Sequence, residues 1–229
     1  MNNELWLIWK EPLSHRRFKI EILIKLNDGY EFSYVDPELG EARKVGFIFF
    51  PGFNDLSKTY KNNELFINIA SRLPNKGRID YLEILNSYNL DKESSDFDIL
   101  KATRGRTLTD NYEFVPAFDL NRIEFDVAGT RHCKDINKCK DFLKINRVLY
   151  LEPEPNNKND ENAVKVVLKE NGKLYHLGYV PRYYSKELLN ELNKGAKYSA
   201  MIQNLTHHFV MKILLQMLNW FLMYKNIFL

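Results

Sequence analysis

At 229 residues, 45% hydrophobic and 28% charged, the chain has the composition of a soluble folded protein with apolar material for one or two cores, which excludes general disorder. The net charge of +3 conceals an asymmetry: residues 1–120 carry 16 Lys/Arg against 19 Asp/Glu, whereas residues 121–229 carry 17 against 11, so a polyanion belongs on the second half. Two cysteines, Cys133 and Cys139, are too few for a disulfide framework and fit a reducing compartment.

The first residues, MNNELWLIWKEPLSHRR, hold a short apolar run, Leu5 to Ile8, between charges and a proline. No signal peptide is read there, and a cytoplasmic location is expected. A strand over Trp6 to Trp9 is followed by FKIEILIKL (18–26) and YEFSYV (30–35), with Asn27-Asp28-Gly29 between them. Such a turn sequence between two β-prone runs predicts a hairpin, because a primed turn needs positive φ at its centre. Helical spacing follows in LFINIASRL (65–73) and RIDYLEILNSYNL (78–90), with Tyr81, Ile84, Leu85 and Tyr88 on one face. SSDFDILKAT (94–103) opens with N-cap residues and predicts a further helix, and YEFVPAF (112–118) reads as a closing strand. Residues 1–118 are expected to form one α+β domain.

This half, from the hairpin through LFINIASRLPNKGRIDYLEILNSYNL and FDILKATRGR, resembles the N-terminal subdomain that precedes the kinase core of HipA-type toxins. The resemblance implies a partner-binding role. Kinase activity is not carried over, since about 110 residues remain after this half, too few for a kinase core beside a second domain. No Gly-rich phosphate loop is present either.

The second half begins with a strand in NRIEFDVAGT (121–130) and continues with RHCKDINKCKDFLKINR (131–147), which holds six basic and two acidic side chains. A solvated helical face explains that charge as well as a phosphate-binding one does. RVLYLEPEP (147–155) and AVKVVLKENGKLYHLGYV (163–180) supply strands, with a hairpin turn at Glu170-Asn171-Gly172-Lys173. SKELLNELNKG (185–195) predicts a helix with a serine N-cap and a closing glycine. A small closed or nearly closed β-barrel over 121–205 is the expected architecture, because closure removes the edges of short strands.

Between two of those strands, EPNNKNDENAVKV (154–166) contains four asparagines. Their side chains hydrogen-bond nearby backbone, so a tight, self-satisfied loop is the simplest account. The set V-A-G-T-R, L-x-x-E-P-x-N-x-x-D-x-N-A-V and L-G-Y-V-P-R, in that order, resembles the HIRAN domain over about residues 122–200. The resemblance implies an OB-like barrel with short helices that captures the 3′-hydroxyl end of single-stranded DNA. By position it places an Arg-aromatic pair on Arg131 and His132, an aromatic-Asp pair on Asn159 and Asp160, and further ligand contacts on Tyr179 and Arg182. In those roles Arg131 and Arg182 meet phosphate oxygens, Asp160 accepts the terminal hydroxyl proton, and Tyr179 stacks on a base. Two positions depart: His132 still offers a ring, but Asn159 does not, and an aromatic platform contributes roughly 1–3 kcal/mol per base.

No catalytic set, cofactor site or metal site is read. His132, Cys133 and Cys139 match no common zinc spacing. Glu152, Glu154, Asp160 and Glu161 are read as solvated loop acids, with no nucleophile and base beside them. Residues 207–229 contain no Asp, Glu, Gly or Pro. Lys212, Gln216, Asn219 and Lys225 interrupt them, which argues against a membrane span. They are treated as an apolar tail over 206–229, either a docking helix or an aberrant replacement of a final strand, dispensable for the folding of residues 1–205. Two functions follow: a non-enzymatic HIRAN-type binder of single-stranded DNA ends with a partner-binding N-terminal domain, or an antitoxin-like protein-interaction subunit whose barrel no longer binds DNA ends.

Overall fold

The computed structural model describes residues 3–206 and 211–217, which belong to two compact units, Met1–Ala117 and Phe118–Leu229. In the first unit, β1 (Glu4–Lys10), β2 (Arg17–Lys25), β3 (Tyr30–Tyr34), β4 (Tyr60–Asn62) and β5 (Tyr112–Pro116) form an antiparallel sheet in the order β4-β3-β2-β1-β5. The β2–β3 hairpin turns at Asn27-Asp28-Gly29, and Leu26 N donates to Gly29 O at 2.8 Å. Short helices α1 (Glu38–Lys44), α2 (Ile67–Ala70), α3 (Tyr81–Ser87) and α4 (Asp96–Thr103) complete the unit. The Ser95 side chain caps α4 by accepting from Asp98 N at 3.2 Å. Of the face expected on α3, Leu85 is buried and Tyr88 is exposed.

The core of this unit is aromatic. Phe32 and Phe53 rings lie 4.2 Å apart, Phe50 stacks on Phe53, and Tyr34 binds both segments by donating to Phe53 O and accepting from Phe50 N. Arg72, nearly buried, forks onto Asp110 with two 2.7 Å bonds and donates to Gly105 O.

The second unit contains β6 (Arg122–Asp126), a 3₁₀ turn at Thr130–His132, α5 (Ile136–Cys139), β7 (Val148–Pro153), β8 (Val164–Glu170), β9 (Lys173–Tyr179), α6 (Arg182–Asn193), β10 (Tyr198–Leu205) and β11 (Met211–Met217). Its antiparallel sheet has the order β6-β11-β10-β7-β8-β9. The β8–β9 turn has positive φ at Asn171 (49°) and Gly172 (75°), as a primed turn requires. The outer strands β6 and β9 approach at Ala128, whose backbone exchanges 2.8 and 2.9 Å hydrogen bonds with Tyr179. Among the described residues that bridge stands alone where a barrel would have a ladder, so the sheet is curled but not a closed barrel.

The expected apolar tail is corrected over residues 211–217. Met211–Met217 is an interior strand, paired with β10 on one side and β6 on the other. Met211, Ile213 and Leu215 are fully buried, and Leu214, on the opposite face, is nearly so. One face is buried throughout Met211, Ile213 and Leu215, and on the other Leu214 is buried between half-buried Lys212 and exposed Gln216, so the strand holds more apolar residues than strict alternation gives and reads as foreign to the domain. Residues 207–210 and 218–229 lie outside the described residues, and the tail expectation for them with it. Among the described residues no helix is long and apolar enough to cross a membrane.

The start of α6 is also corrected. The helix begins at Arg182, one turn before the expected serine cap, with Pro181 in the N-cap position. Proline's fixed φ suits a helix entry. Ser185 therefore sits inside the first turns, buried, and its hydroxyl is released for another partner.

Candidate nucleic-acid interface

The loop between β7 and β8 is built by its own polar side chains. Asn157 Oδ1 accepts from the amides of Asn159 (2.9 Å) and Asp160 (3.1 Å), Asp160 Oδ1 accepts from Asn162 N (3.0 Å), and Ala163 N closes onto Asp160 O (3.0 Å). Short amide and carboxylate side chains here replace the backbone partners that a ladder would supply.

Two elements hold this loop from outside. Ser185 Oγ donates to Asp160 Oδ2 at 2.8 Å, and Arg182 Nη1 donates to Asn159 O at 2.6 Å, so the first turn of α6 is tied to the loop twice. From the sheet, Tyr179 donates its hydroxyl to Glu154 Oε2 at 2.9 Å, Asn157 Nδ2 donates to the same oxygen at 2.7 Å, and Lys165 Nζ pairs with Oε1 at 2.6 Å. Those donors, Lys165 first and then Asn157, hold the Glu154 carboxyl down to about 2. Partial burial and then Glu154 itself push the Tyr179 phenol up to about 12. Glu154 is thus a bound carboxylate at the centre of the site, which corrects its reading as a solvated loop acid.

Four of the expected residues, Asn159, Asp160, Tyr179 and Arg182, meet in this network. Asn159 takes part through its backbone, and its side chain is at an exposed position. Arg131 and His132 lie apart from it on the exposed 3₁₀ turn. Their connection to the site is the backbone: Gly129 precedes that turn, and Ala128 is hydrogen-bonded to Tyr179.

Two glycines explain why those strands can meet. At Gly178, φ is 143°, and a Cβ would fall 2.5 Å from Ala128 O and 2.6 Å from Val127 Cγ1. At Gly129, φ is 74°, and a Cβ would come to 3.8 Å from the Tyr179 ring. The first permits the close approach of β9 to β6; the second supplies the left-handed residue that sends the chain into the turn bearing Arg131.

Sequence reasoning missed Ser185, Asn157 and Lys165 as site residues. Asn157 carried a signal, as the fixed asparagine of the E-P-x-N-x-x-D pattern, whereas Ser185 read as a helix cap and its bond to Asp160 has no local signature. Lys165, a lone strand lysine, carried none. Cys133 is half-buried and Cys139 buried, both free thiols. Cys133 Sγ lies 3.8 Å from His176 Nδ1, and burial pushes both thiols up. Among the described residues no group of three or more His, Cys, Asp or Glu side chains is arranged to hold a metal ion.

Residues 120–219 match the HIRAN domain family model. Among solved structures, the HIRAN domain of human HLTF is 21% identical with a TM-score of 0.36, covering 43% of this chain and 75% of that one. A protein from Lactobacillus plantarum is 22% identical with a TM-score of 0.34, covering 42% of this chain and 92% of that one. No curated protein matches the chain. The family match does not extend to residues 1–119, so the resemblance of that half to the HipA N-terminal subdomain is without support.

Proposed function

Because residues 120–219 form a HIRAN domain, a domain known for binding DNA, we propose that this chain binds nucleic acid and captures the 3′-hydroxyl end of a single strand at the β7–β8 loop. The observation that carries the reading is the tethering of Asp160. Each of its carboxylate oxygens accepts one hydrogen bond from the protein, Oδ1 from Asn162 N and Oδ2 from Ser185. A carboxylate has about four lone-pair sites, so acceptor capacity remains on a group whose orientation is already fixed. A terminal hydroxyl supplies the matching donor, whereas a terminal phosphate brings negative charge against negative charge.

The other roles follow from chemistry. Arg182 commits one N–H to Asn159 O and has further donors for a phosphate oxygen. The Tyr179 ring, restrained at its hydroxyl by Glu154 and packed edge-to-face on His176 at 4.7 Å, offers a base a surface that needs little ordering. Arg131, exposed on the neighbouring turn, extends the positive charge along the strand's path, and His132 beside it offers a ring. The test is fluorescence anisotropy with one single-stranded oligonucleotide carrying either a 3′-hydroxyl or a 3′-phosphate. Tighter binding of the hydroxyl form is expected. Equal affinity removes end capture, and no binding at low salt favours the protein-interaction reading.

A further inference from the structure

The outer face of β7, β8 and β9 runs on well past the loop. Glu152 pairs with Lys165, which pairs with Tyr179; in the next row Tyr150 pairs with Val167, which pairs with His176; beyond that, Lys169 pairs with Leu174. Directly paired residues project to the same face of a sheet. The register shift between Val166 and Val167 keeps His176 and Tyr179 together on it, as their ring contact shows. The alternate residues Leu149, Val166, Leu168 and Leu177 fill the core. On the outer face, Val148 is 48%, Tyr150 49% and Leu174 55% exposed, whereas Val167, between Tyr150 and His176, is buried at 2% and forms the floor beneath its neighbours.

Scattered exposed apolar side chains are ordinary, but these share one strip with the site. The strip also carries a cation: Lys169 is exposed on β8 and pairs with Leu174 on the same face. Its acid, Glu152, sits beside Lys165 in the strand register.

We infer that Tyr150 is a second base-stacking platform, so that a strand whose 3′ end lies at Asp160 and Tyr179 crosses β9, β8 and β7 with Lys169 against its backbone. This rests on the single-strand reading given above. Two strand spacings put Tyr150 about 10 Å across the sheet from Tyr179. That is well inside the footprint of ~4–16 nucleotides that a small OB-type β-domain covers. Three features together fit one occupant: continuity with the end site through the strand register, a ring with half its surface free, and exposed Lys169 on the same face. A planar base suits the ring, and a phosphodiester suits the lysine.

The test uses the full chain with 5′-labelled oligothymidylates ending in a 3′-hydroxyl, one a trinucleotide and one a dodecanucleotide. Tyr150→Ala should weaken the dodecanucleotide about tenfold and leave the trinucleotide within about twofold. Tyr150→Phe, which keeps the ring, should bind like the parent. Lys169→Ala should reduce the salt dependence for the longer strand by about one phosphate contact. Unchanged affinity of Tyr150→Ala for the dodecanucleotide, or an equal loss on both lengths, overturns the platform. Loss of 3′-hydroxyl preference in the parent would overturn end capture while the length dependence still reports on Tyr150. If the parent binds neither oligonucleotide, both readings fall.

Discussion

The Ser185 hydroxyl and the Asp160 carboxylate are 2.8 Å apart, a bond that fastens the asparagine-rich loop to the first turns of α6. Ser185 is buried, and apart from Asp160 its hydroxyl has Arg182 O within reach at 2.9 Å, so Asp160 is the group left short of a partner when the hydroxyl is removed. Ser185→Ala should destabilise the second unit by about 1.5–3 kcal/mol, as loss of a hydrogen bond to a charged group does. Chemical denaturation checks this. The same variant should lose part of the preference for a hydroxyl end, because Asp160 would no longer be held in one orientation.

Glu154 gives a pH signature. Its folded carboxyl titrates at about 2, below the usual 4.5, so it contributes stability above the unfolded value that is lost as pH falls through the folded one. The stability difference between the parent and Glu154→Gln should therefore be constant above about pH 4.5 and shrink toward pH 2. In the same variant the Tyr179 phenol should titrate below its present value of about 12, because a neighbouring negative charge is gone. Ultraviolet difference titration of parent and variant reads that shift.

Glu21 in β2 behaves oppositely. It is fully buried in the first unit, neither carboxylate oxygen has a hydrogen-bond partner, and burial holds its carboxyl well above the usual range. The Tyr34 hydroxyl is near enough to offset this in part, yet it is donated to Phe53 O. A raised folded value means that the unfolded chain gives up the proton first, so stability falls as pH rises from about 4.5 toward the folded value. Glu21→Gln should flatten that decline, and Glu21→Leu should raise the melting temperature at neutral pH. A decline of the same slope in both variants would remove Glu21 as its source.

The interior position of β11 sets the cost of disturbing it. Ile213→Ala, at a fully buried site between β10 and β6, should cost about 2–5 kcal/mol. Truncation after Leu205 should abolish the near-ultraviolet signal of the second unit and not merely improve solubility. A native spectrum after truncation would contradict the strand assignment.

What could be read in the sequence, and what could not, divides along physical lines. Asn171-Gly172 announced its hairpin because positive φ restricts the residues that fit, and Ser95 announced its helix because a cap is local chemistry. The hairpin expected at Asn27-Asp28-Gly29 also forms, but not through the primed turn expected there, since Asp28 has no positive φ and Gly29 stands at 155°. β11 was misread because Leu214, buried on the same face as half-buried Lys212 and exposed Gln216, breaks the alternation by which a strand is recognised. Ser185 was misread as a cap because its true partner, Asp160, is distant along the chain. Glu154 looked like one acid among several in a loop. Its three donors come from β8, from β9 and from Asn157 of the loop itself, a convergence that exists after folding.

End capture turns on Asp160, and the most direct measurement is the ratio of affinities for 3′-hydroxyl and 3′-phosphate strands in Asp160→Ala beside Arg182→Ala. The Arg182 variant should bind both strands more weakly, with a salt dependence reduced by about one phosphate contact and the ratio kept. The Asp160 variant should keep the salt dependence and bring the ratio close to one, with a native circular dichroism spectrum confirming that the loop's loss has not unfolded the unit. A folded Asp160→Ala protein that still prefers the hydroxyl end as strongly as the parent would contradict capture of the 3′ end by Asp160.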